Sequence, residues 1–143
     1  MSAFDLDRFL AAQQGVYTDA LAEIRDGRKR SHWMWFVFPQ IAGLGTSPTS
    51  QHYAIAGLDE ARAYVQHPVL GPRLIEAMRA VLDVEGKTAA DIFGTPDDMK
   101  LRSCATLFAA AEPVEPVFQR IIDKYFGGQA DPLTTARLRF PAD

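Results

Sequence analysis

Apolar side chains recur at helical spacing along most of the chain, and this pattern predicts a series of short helices. The first covers residues 6–24, where Gln13 is the one break in the apolar stripe. Asp5 is a suitable N-cap for this helix, and Gly27 is a suitable C′ residue beyond its end. Gly15 is expected to bend or split the helix, because glycine weakens a helix interior.

The same spacing predicts the remaining helices, whose ends are marked by proline and glycine. They cover residues 49–56, 58–67, 70–84, 88–92, 96–111 and 114–126, and Asp131-Pro132 opens a last short helix. The second helix is expected to start at Thr49 or Ser50, and Pro96 is expected at a first helical position. Since no segment outside residues 32–39 alternates as strands do, we predict an all-α fold: an irregular multihelical single domain over residues 1–143. The helices are too short and too many for a four-helix bundle.

The structure of residues 32–39, HWMWFVFP, is left open by the pattern. This aromatic octet holds both tryptophans and fits either a short buried strand or a short buried helix. The basic triplet Arg28-Lys29-Arg30 stands just before it, and a loop rich in Gly and Ser follows. Aromatic rings beside cations suit planar anionic ligands, since rings stack on rings and guanidinium groups bind phosphate or carboxylate. The alternative is an aromatic core beside a solvated basic helix end.

Composition restricts the class of protein. The chain has 143 residues, 48% of them hydrophobic and 23% charged, which is typical of a soluble globular domain. A formal net charge of -3 argues against nucleic-acid binding. No apolar run is long enough to span a membrane, the first residues lack a secretory signal pattern, and the single Cys104 fits a reducing cytoplasm. We therefore expect a cytoplasmic protein without a membrane partner.

The candidate ligand-binding residues come from the octet, the loop after it and one later helix. They are Arg30, His32, Trp33, Trp35, Gln40, Ser47, Ser50, Tyr53 and Lys100. The candidate catalytic residues are His32, which can exchange a proton near neutral pH, and Asp98. The plain alternative for Asp98 is an i,i+4 ion pair with Arg102. Cys104 lies on an apolar stripe and is interpreted as a core residue, and no metal or cofactor is predicted because no ligand spacing is present.

Four long segments resemble the consecutive blocks of a bacterial family, the domain of unknown function 1810, which is sometimes labelled calpastatin. They are GRKRSHWMWFVFPQIAGLG, YAIAGLDEARAYVQHPVLGPRL, DIFGTPDDMKLRSCATLF and DKYFGGQADPLTTARL. The resemblance runs from about Phe4 to Leu138. It implies an all-helical fold and no established function. The calpastatin label would imply a protease inhibitor, which we reject because such inhibitors are disordered and this chain has a strong helical core pattern.

The segment FVFPQIAGLGTSPTSQHYAIAG more distantly resembles the helical NADAR (YbiA-like) N-glycosidases. That family carries an aromatic–proline stretch followed by a Ser-Glu-His-Tyr-like motif at the start of a helix, and residues 50–53 stand at the matching place. Gln51 replaces the carboxylate of that motif, and an amide cannot act as a general base. The resemblance implies N-glycoside hydrolysis only if Asp98 or another acid supplies the missing charge.

The leading functional prediction is binding of a small anionic, ring-containing metabolite, such as a nucleotide or an ADP-ribose-like compound, with N-glycoside hydrolysis as the reaction of an enzyme. This pocket hypothesis predicts Trp33 or Trp35 partly exposed in a concavity, near Arg30 or Lys100. The alternative is a protein–protein interaction module without catalysis, whose protein partner is unknown. That alternative predicts a flat apolar patch larger than roughly a few hundred Å². A helical accessory domain without a ligand would bury both indoles.

Overall fold

The computed structural model describes residues 4–139, which form ten α-helices and no β-strand. They are α1 (Asp7–Gln13), α2 (Tyr17–Arg25), α3 (Met34–Val37), α4 (Pro48–His52), α5 (Leu58–Gln66), α6 (Leu70–Asp83), α7 (Ala89–Phe93), α8 (Asp97–Ala109), α9 (Pro116–Phe126) and α10 (Pro132–Arg139). The all-α prediction is confirmed. Within the described residues, no helix is long and apolar enough to cross a membrane. The single-domain prediction extends to residues 1–3 and 140–143, which lie outside the described part.

The predicted first helix is two helices, separated at Gly15. α1 ends at Gln13, α2 begins at Tyr17, and Gly15 between them has a φ of 73°, in the left-handed region that favours glycine. The predicted N-cap is wrong, because Leu6 occupies that position and makes no side-chain capping bond. Gly27 does follow the C-cap of α2, as predicted, with a φ of 75°.

The centre of the aromatic octet forms one turn of helix. Of the two structures that the sequence pattern allowed, strand and helix, the helix is therefore the one observed there. α3 covers four residues, and Trp33 and Phe38 flank it in non-helical conformations. Directly after the octet, Ile41 forms an isolated parallel bridge with Ile55. This bridge joins the loop after α3 to the segment after α4, and it fixes the two sides of the candidate site relative to each other.

Several predicted helix bounds differ from the structure: α4 ends at His52 and not at residue 56, α9 begins at Pro116 and not at residue 114, and two further starts are displaced beside a proline. α4 begins at Pro48, because Ser47 is its N-cap and accepts a hydrogen bond from the Ser50 backbone N–H at 3.1 Å. Proline suits a first helical position, where a backbone N–H has no partner in the helix. The predicted start at Thr49 is therefore too late. Pro96 is the N-cap residue of α8 and not its first helical residue.

α8 lies at the centre of the packing and contacts α5, α7, α9 and α10. Its Cys104 and Phe108 are fully buried, as the apolar stripe predicted, and Phe108 packs against Phe118 of α9 with ring centroids 5.6 Å apart. α5 and α6 approach closely at Gly71, where a Cβ atom would stand 2.0 Å from the Val65 carbonyl oxygen. A glycine is required at this contact because the neighbouring atom belongs to the backbone.

Two polar side chains of α1 hold the segments that build the candidate site. Arg8 donates to the Ala54 carbonyl at 2.8 Å and forms an ion pair with Glu60 at 2.9 Å. Gln13, the break in the predicted apolar stripe, is buried and donates to the Phe36 carbonyl at 2.8 Å. α1 is therefore bonded to α3 and to the chain after α4 through groups that the apolar pattern does not reveal.

Candidate functional site

The buried carboxylate of Glu23 organises the chain that enters the octet. Its Oε1 accepts hydrogen bonds from the backbone N–H groups of Arg30 (2.6 Å) and Ser31 (3.0 Å) and from the Trp33 indole (3.0 Å). Its Oε2 accepts from the Ser31 hydroxyl at 2.6 Å. Burial by itself would raise the pKa of Glu23, but these hydrogen bonds outweigh it and lower the pKa to about 2. The carboxylate is therefore a structural anchor that stays ionised near neutral pH.

Trp33 is sealed inside the protein and does not line a cavity. Its side chain is 1% exposed, and its N–H is satisfied by Glu23. It packs against Phe38 and Phe93 with ring centroids 6.0 and 6.3 Å apart. The placement of Trp33 among the ligand-contacting residues is therefore corrected: it belongs to the aromatic core.

Trp35 lies on the opposite side of the octet and is partly exposed. The Nζ atom of Lys100 stands over its ring, 4.1 Å from the centroid. Lys100 and Lys29 each bind one oxygen of Asp97 at 2.9 Å. Burial would raise the pKa of Asp97, but hydrogen bonds and charge from the two lysines lower it. Two cations thus share one carboxylate beside an indole face, and this triad keeps one net positive charge.

A small cavity of about 110 Å³ adjoins Trp35. It is lined by Trp35, Gln40, residues 41–45, Ser50, Gln51, Tyr53 and Ala54. The fold therefore brings together four of the predicted ligand-binding residues, namely Trp35, Gln40, Ser50 and Tyr53. The partly exposed indole in a concavity, with Lys100 beside it, is the arrangement that the pocket hypothesis predicts.

Gln40 lines this cavity and carries a buried polar atom without a hydrogen-bond partner. The residue is 8% exposed, and within the described chain its Nε2 atom has no acceptor. Its backbone is held in place, because its carbonyl accepts from the Ile55 N–H at 2.8 Å. An unpartnered buried amide costs about 1–3 kcal/mol, so native proteins seldom keep one without a reason.

The Gly43 to Gly45 loop forms another wall of the cavity and carries free hydrogen-bond donors. Between positions 4 and 139, none of the backbone N–H groups of Gly43, Leu44 and Gly45 donates a hydrogen bond. A Cβ atom at Gly45 would stand 2.7 Å from the Ser50 hydroxyl. This position is therefore closed to larger residues unless the Ser50 side chain moves.

Arg137 of α10 is a cation of the site that the sequence reasoning missed. Gly43 has a φ of 97°, and a Cβ atom there would lie 1.8 Å from Nη2 of Arg137, so the guanidinium group rests against the glycine. Arg137 makes no hydrogen bond or ion pair with any other described residue. No spacing rule connects a residue of the last helix with this loop, and only the fold places them together.

A second cavity of about 660 Å³ begins on the other side of Gly43. It shares residues 41–43 with the first cavity and is otherwise formed by residues 56–60 and by Phe4, Arg137 and Leu138. A further groove of about 570 Å³ between α2 and α6 contains none of the predicted site residues. Because neither contains an unpartnered buried side-chain atom among the described residues, the small cavity is the better candidate site.

Besides Trp33, three further predicted residues lie away from the cavity. Arg30 is exposed and pairs with Asp26 at 3.1 Å, and His32 is exposed. Ser47 is the N-cap residue of α4 and therefore has a structural role. Of the basic triplet, it is therefore Lys29, and not Arg30, that lies close to the tryptophan side chains.

Asp98 does not form the expected ion pair with Arg102. The guanidinium group of Arg102 instead donates to the carbonyls of Gln129 and Ala130 at 2.9 and 3.0 Å. Oδ1 of Asp98 is buried and has no hydrogen-bond partner in the described chain, although the residue does not line the small cavity. Residues 4–139 hold no group of three or more His, Cys, Asp or Glu side chains placed to bind a metal ion.

Comparison with known proteins places the chain in a family. The crystal structure of the conserved hypothetical protein Rv1873 from Mycobacterium tuberculosis is similar, with a TM-score of 0.95 and 51% sequence identity over 96% of this chain and 99% of that one. No curated protein matches the chain. The sequence profile described as "Protein of unknown function (DUF1810)" matches residues 3–138. The chain therefore belongs to the DUF1810 family.

Proposed function

We propose that the protein binds a small anionic, ring-containing metabolite in the cavity beside Trp35. The observation that carries this proposal is the pairing of a partly exposed indole with an unpartnered amide, that of Gln40, at one small concavity. Aromatic side chains hold planar rings by stacking, and ligand pockets combine such rings with a small number of polar groups that fix the orientation of the ligand. Both features support the presence of a ligand at this cavity.

The charge around the cavity favours an anion, although the whole chain has a formal net charge of -3. Lys29 and Lys100 share the single carboxylate of Asp97, and Arg137 has no anionic partner among the described residues. Guanidinium groups bind phosphate and carboxylate through two parallel hydrogen bonds. A local excess of positive charge in an acidic protein attracts anionic ligands to this surface.

The exposed apolar residues give less support to an interaction module. The large hydrophobic side chains that are exposed in the described part are Val69, Met99, Val114 and Leu133: Met99 lies on α8, Leu133 on α10, and the other two lie in separate connections between helices. The octet, which the interaction hypothesis requires at the surface, is largely buried. A docking surface would instead present one contiguous apolar patch.

Hydrolysis of an N-glycosidic bond is the second candidate, and the buried, unpartnered Oδ1 of Asp98 favours it. A carboxylate activates water or stabilises an oxocarbenium-like charge in glycosidases, although Oδ1 of Asp98 is closed to water in this structure. Asp98 lies two residues before Lys100 on α8 but not in the cavity lining. For that reason we place binding before catalysis.

A thermal-shift screen followed by calorimetry tests the proposal, with nucleotides, ADP-ribose and sugar phosphates as ligands. A compound at 100 times its Kd adds about 2.7 kcal/mol of stability, which raises Tm by on the order of 8 °C for a chain of this size. Arg137→Gln should weaken binding. Arg120→Gln, which changes an exposed arginine without a described partner on α9, is the matched control and should not.

The screen also separates the two candidates. Binding without release of a free base or sugar phosphate supports a binding protein, and release that disappears in Asp98→Asn supports the hydrolase. If no compound changes Tm or gives heat in calorimetry, the binding proposal is refuted.

A further inference from the structure

The larger cavity, which the proposed function does not use, joins an apolar wall to one cation. Its volume is about 660 Å³, within the range of roughly 300–1,000 Å³ that is usual for small-molecule sites. We infer that this cavity is a second site, which binds a small monocarboxylic acid with an apolar body. The carboxylate lies against the guanidinium group of Arg137, and the apolar body lies against the wall. The inference concerns another cavity and another class of ligand than the function proposed above, and the two have Arg137 in common.

Apolar side chains form most of the wall of this cavity. They belong to six of its eleven lining residues, namely Phe4, Ile41, Ala42, Ala56, Leu58 and Leu138. These residues come from the chain before α1, the loop after α3, the beginning of α5 with the residues just before it, and α10. The bridge between Ile41 and Ile55 holds the second and third of these parts together. A mostly apolar lining with a few charged groups is typical of sites for small molecules.

The guanidinium group of Arg137 is positioned at the edge of this wall. It occupies the space that a side chain at residue 43 would take, because a Cβ atom there would lie 1.8 Å from Nη2 and 2.3 Å from Cζ. Gly43 and Arg137 both line the cavity, so the group lies where two lining residues meet. No described residue accepts a hydrogen bond from it or forms an ion pair with it. A guanidinium group without an acidic partner can bind a carboxylate through two parallel hydrogen bonds.

The other charged residues of the lining favour a single negative charge on the ligand. Glu60 forms an ion pair with Arg8 at 2.9 Å, and Asp59 forms one with Arg62 at 2.8 Å. Since each acid already has a cation, Arg137 is the one charge of the lining that is left without a partner among the described residues. A phosphate would bring a second negative charge near the two acids, and no free cation of the lining would balance it. The cavity therefore favours a carboxylate over a phosphate.

Heteronuclear NMR titration of the whole protein tests the inference, with octanoate as the probe. Octanoate should shift the amide signals of residues 41–43 and 56–60, which line the cavity. Octan-1-ol lacks the charge and acetate lacks the apolar body, so each should bind about tenfold or more weakly than octanoate. Octyl phosphate has the same chain with a second negative charge and should also bind more weakly.

Arg137→Gln should weaken octanoate by about tenfold or more, because it removes the charged partner of the carboxylate. Arg137→Lys keeps the charge but loses the paired donors, and it should have an intermediate affinity. Arg139→Gln is the matched control and should leave the affinity unchanged, because Arg139 is exposed on the same helix, has no described partner and does not line the cavity.

The inference is overturned if octanoate causes no shifts or shifts only signals away from the cavity. It is overturned equally if any of the three comparison compounds binds as tightly as octanoate, or if Arg137→Gln leaves the affinity unchanged. Because octanoate has no ring to stack on Trp35, each of these results leaves the proposed function standing.

Discussion

The substitution Glu23→Gln should make the stability of the protein much less sensitive to acid. Glu23 accepts four hydrogen bonds from the chain that enters the octet. A glutamine can keep this geometry, because its oxygen can accept from the three N–H groups and its amide can donate to the Ser31 hydroxyl. The substitution therefore removes the negative charge while leaving the shape of the site intact.

The magnitude follows from the pKa of Glu23, which falls from an ordinary 4.5 to about 2 in the folded protein. Each pKa unit corresponds to about 1.36 kcal/mol, so the ionised carboxylate contributes on the order of 3 kcal/mol to stability at neutral pH. Because the folded pKa is the lower one, this contribution is complete above about pH 5. It is lost as the pH falls towards 2, since the unfolded chain binds the proton first.

Urea denaturation between pH 2.5 and 7, monitored by circular dichroism, measures the effect. At pH 7 Glu23→Gln should be less stable than the wild type by up to about 3 kcal/mol, and the gap should narrow as the pH falls. Glu85→Gln is the matched control, because Glu85 is exposed and has no described partner, and it should stay within about 0.5 kcal/mol at every pH. A gap that stays constant with pH, or no gap at pH 7, would refute the role assigned to the Glu23 charge.

Three further predictions test the packing and the cavity. Gly71→Ala should destabilise the protein by about 1–3 kcal/mol in urea, because its Cβ meets the Val65 carbonyl, whereas Gly57→Ala, with nothing within 4 Å, should cost less than about 1 kcal/mol. Cys104 should react with a thiol reagent only after unfolding, because burial raises the pKa of its thiol, and rapid reaction of the native protein would contradict this. Gln40→Met should raise Tm by a few degrees, since it removes an unpartnered amide that costs about 1–3 kcal/mol, and a lower Tm would show that the amide is satisfied in solution.

Helix positions could be predicted because they depend on local spacing. Gly15 as a break and Gly27 as an end are predictable, since both effects follow from the backbone freedom of one residue. The start of α4 was misplaced, because Ser47, Thr49 and Ser50 can each cap a helix. The choice of Ser47 follows from Pro48, which suits the position after a cap.

The sequence does not predict that Trp33 is buried and Trp35 partly exposed, because the two residues carry the same side chain and stand only two positions apart. Glu23 decides between them, since it binds the Trp33 indole and leaves Trp35 on the other side of the single helical turn. A buried carboxylate on an otherwise apolar helix face could have signalled this role. Arg137 had no such signal, because its proximity to Gly43 arises only from the packing of α10.

The anchors of the site and its ligand-binding groups are separate residues, and this separation explains how an unpartnered amide can persist. Glu23 holds the octet and Arg8 holds the chain after α4, so both walls keep their places whether or not a ligand is present. The bridge between Ile41 and Ile55 ties the walls together. The backbone of Gln40 is therefore held in place at the wall of the cavity. A cavity held in this way is ordered before the ligand arrives, so little conformational entropy is lost on binding. Substitutions of the anchors should therefore lower stability and affinity together, whereas Gln40→Met should raise stability.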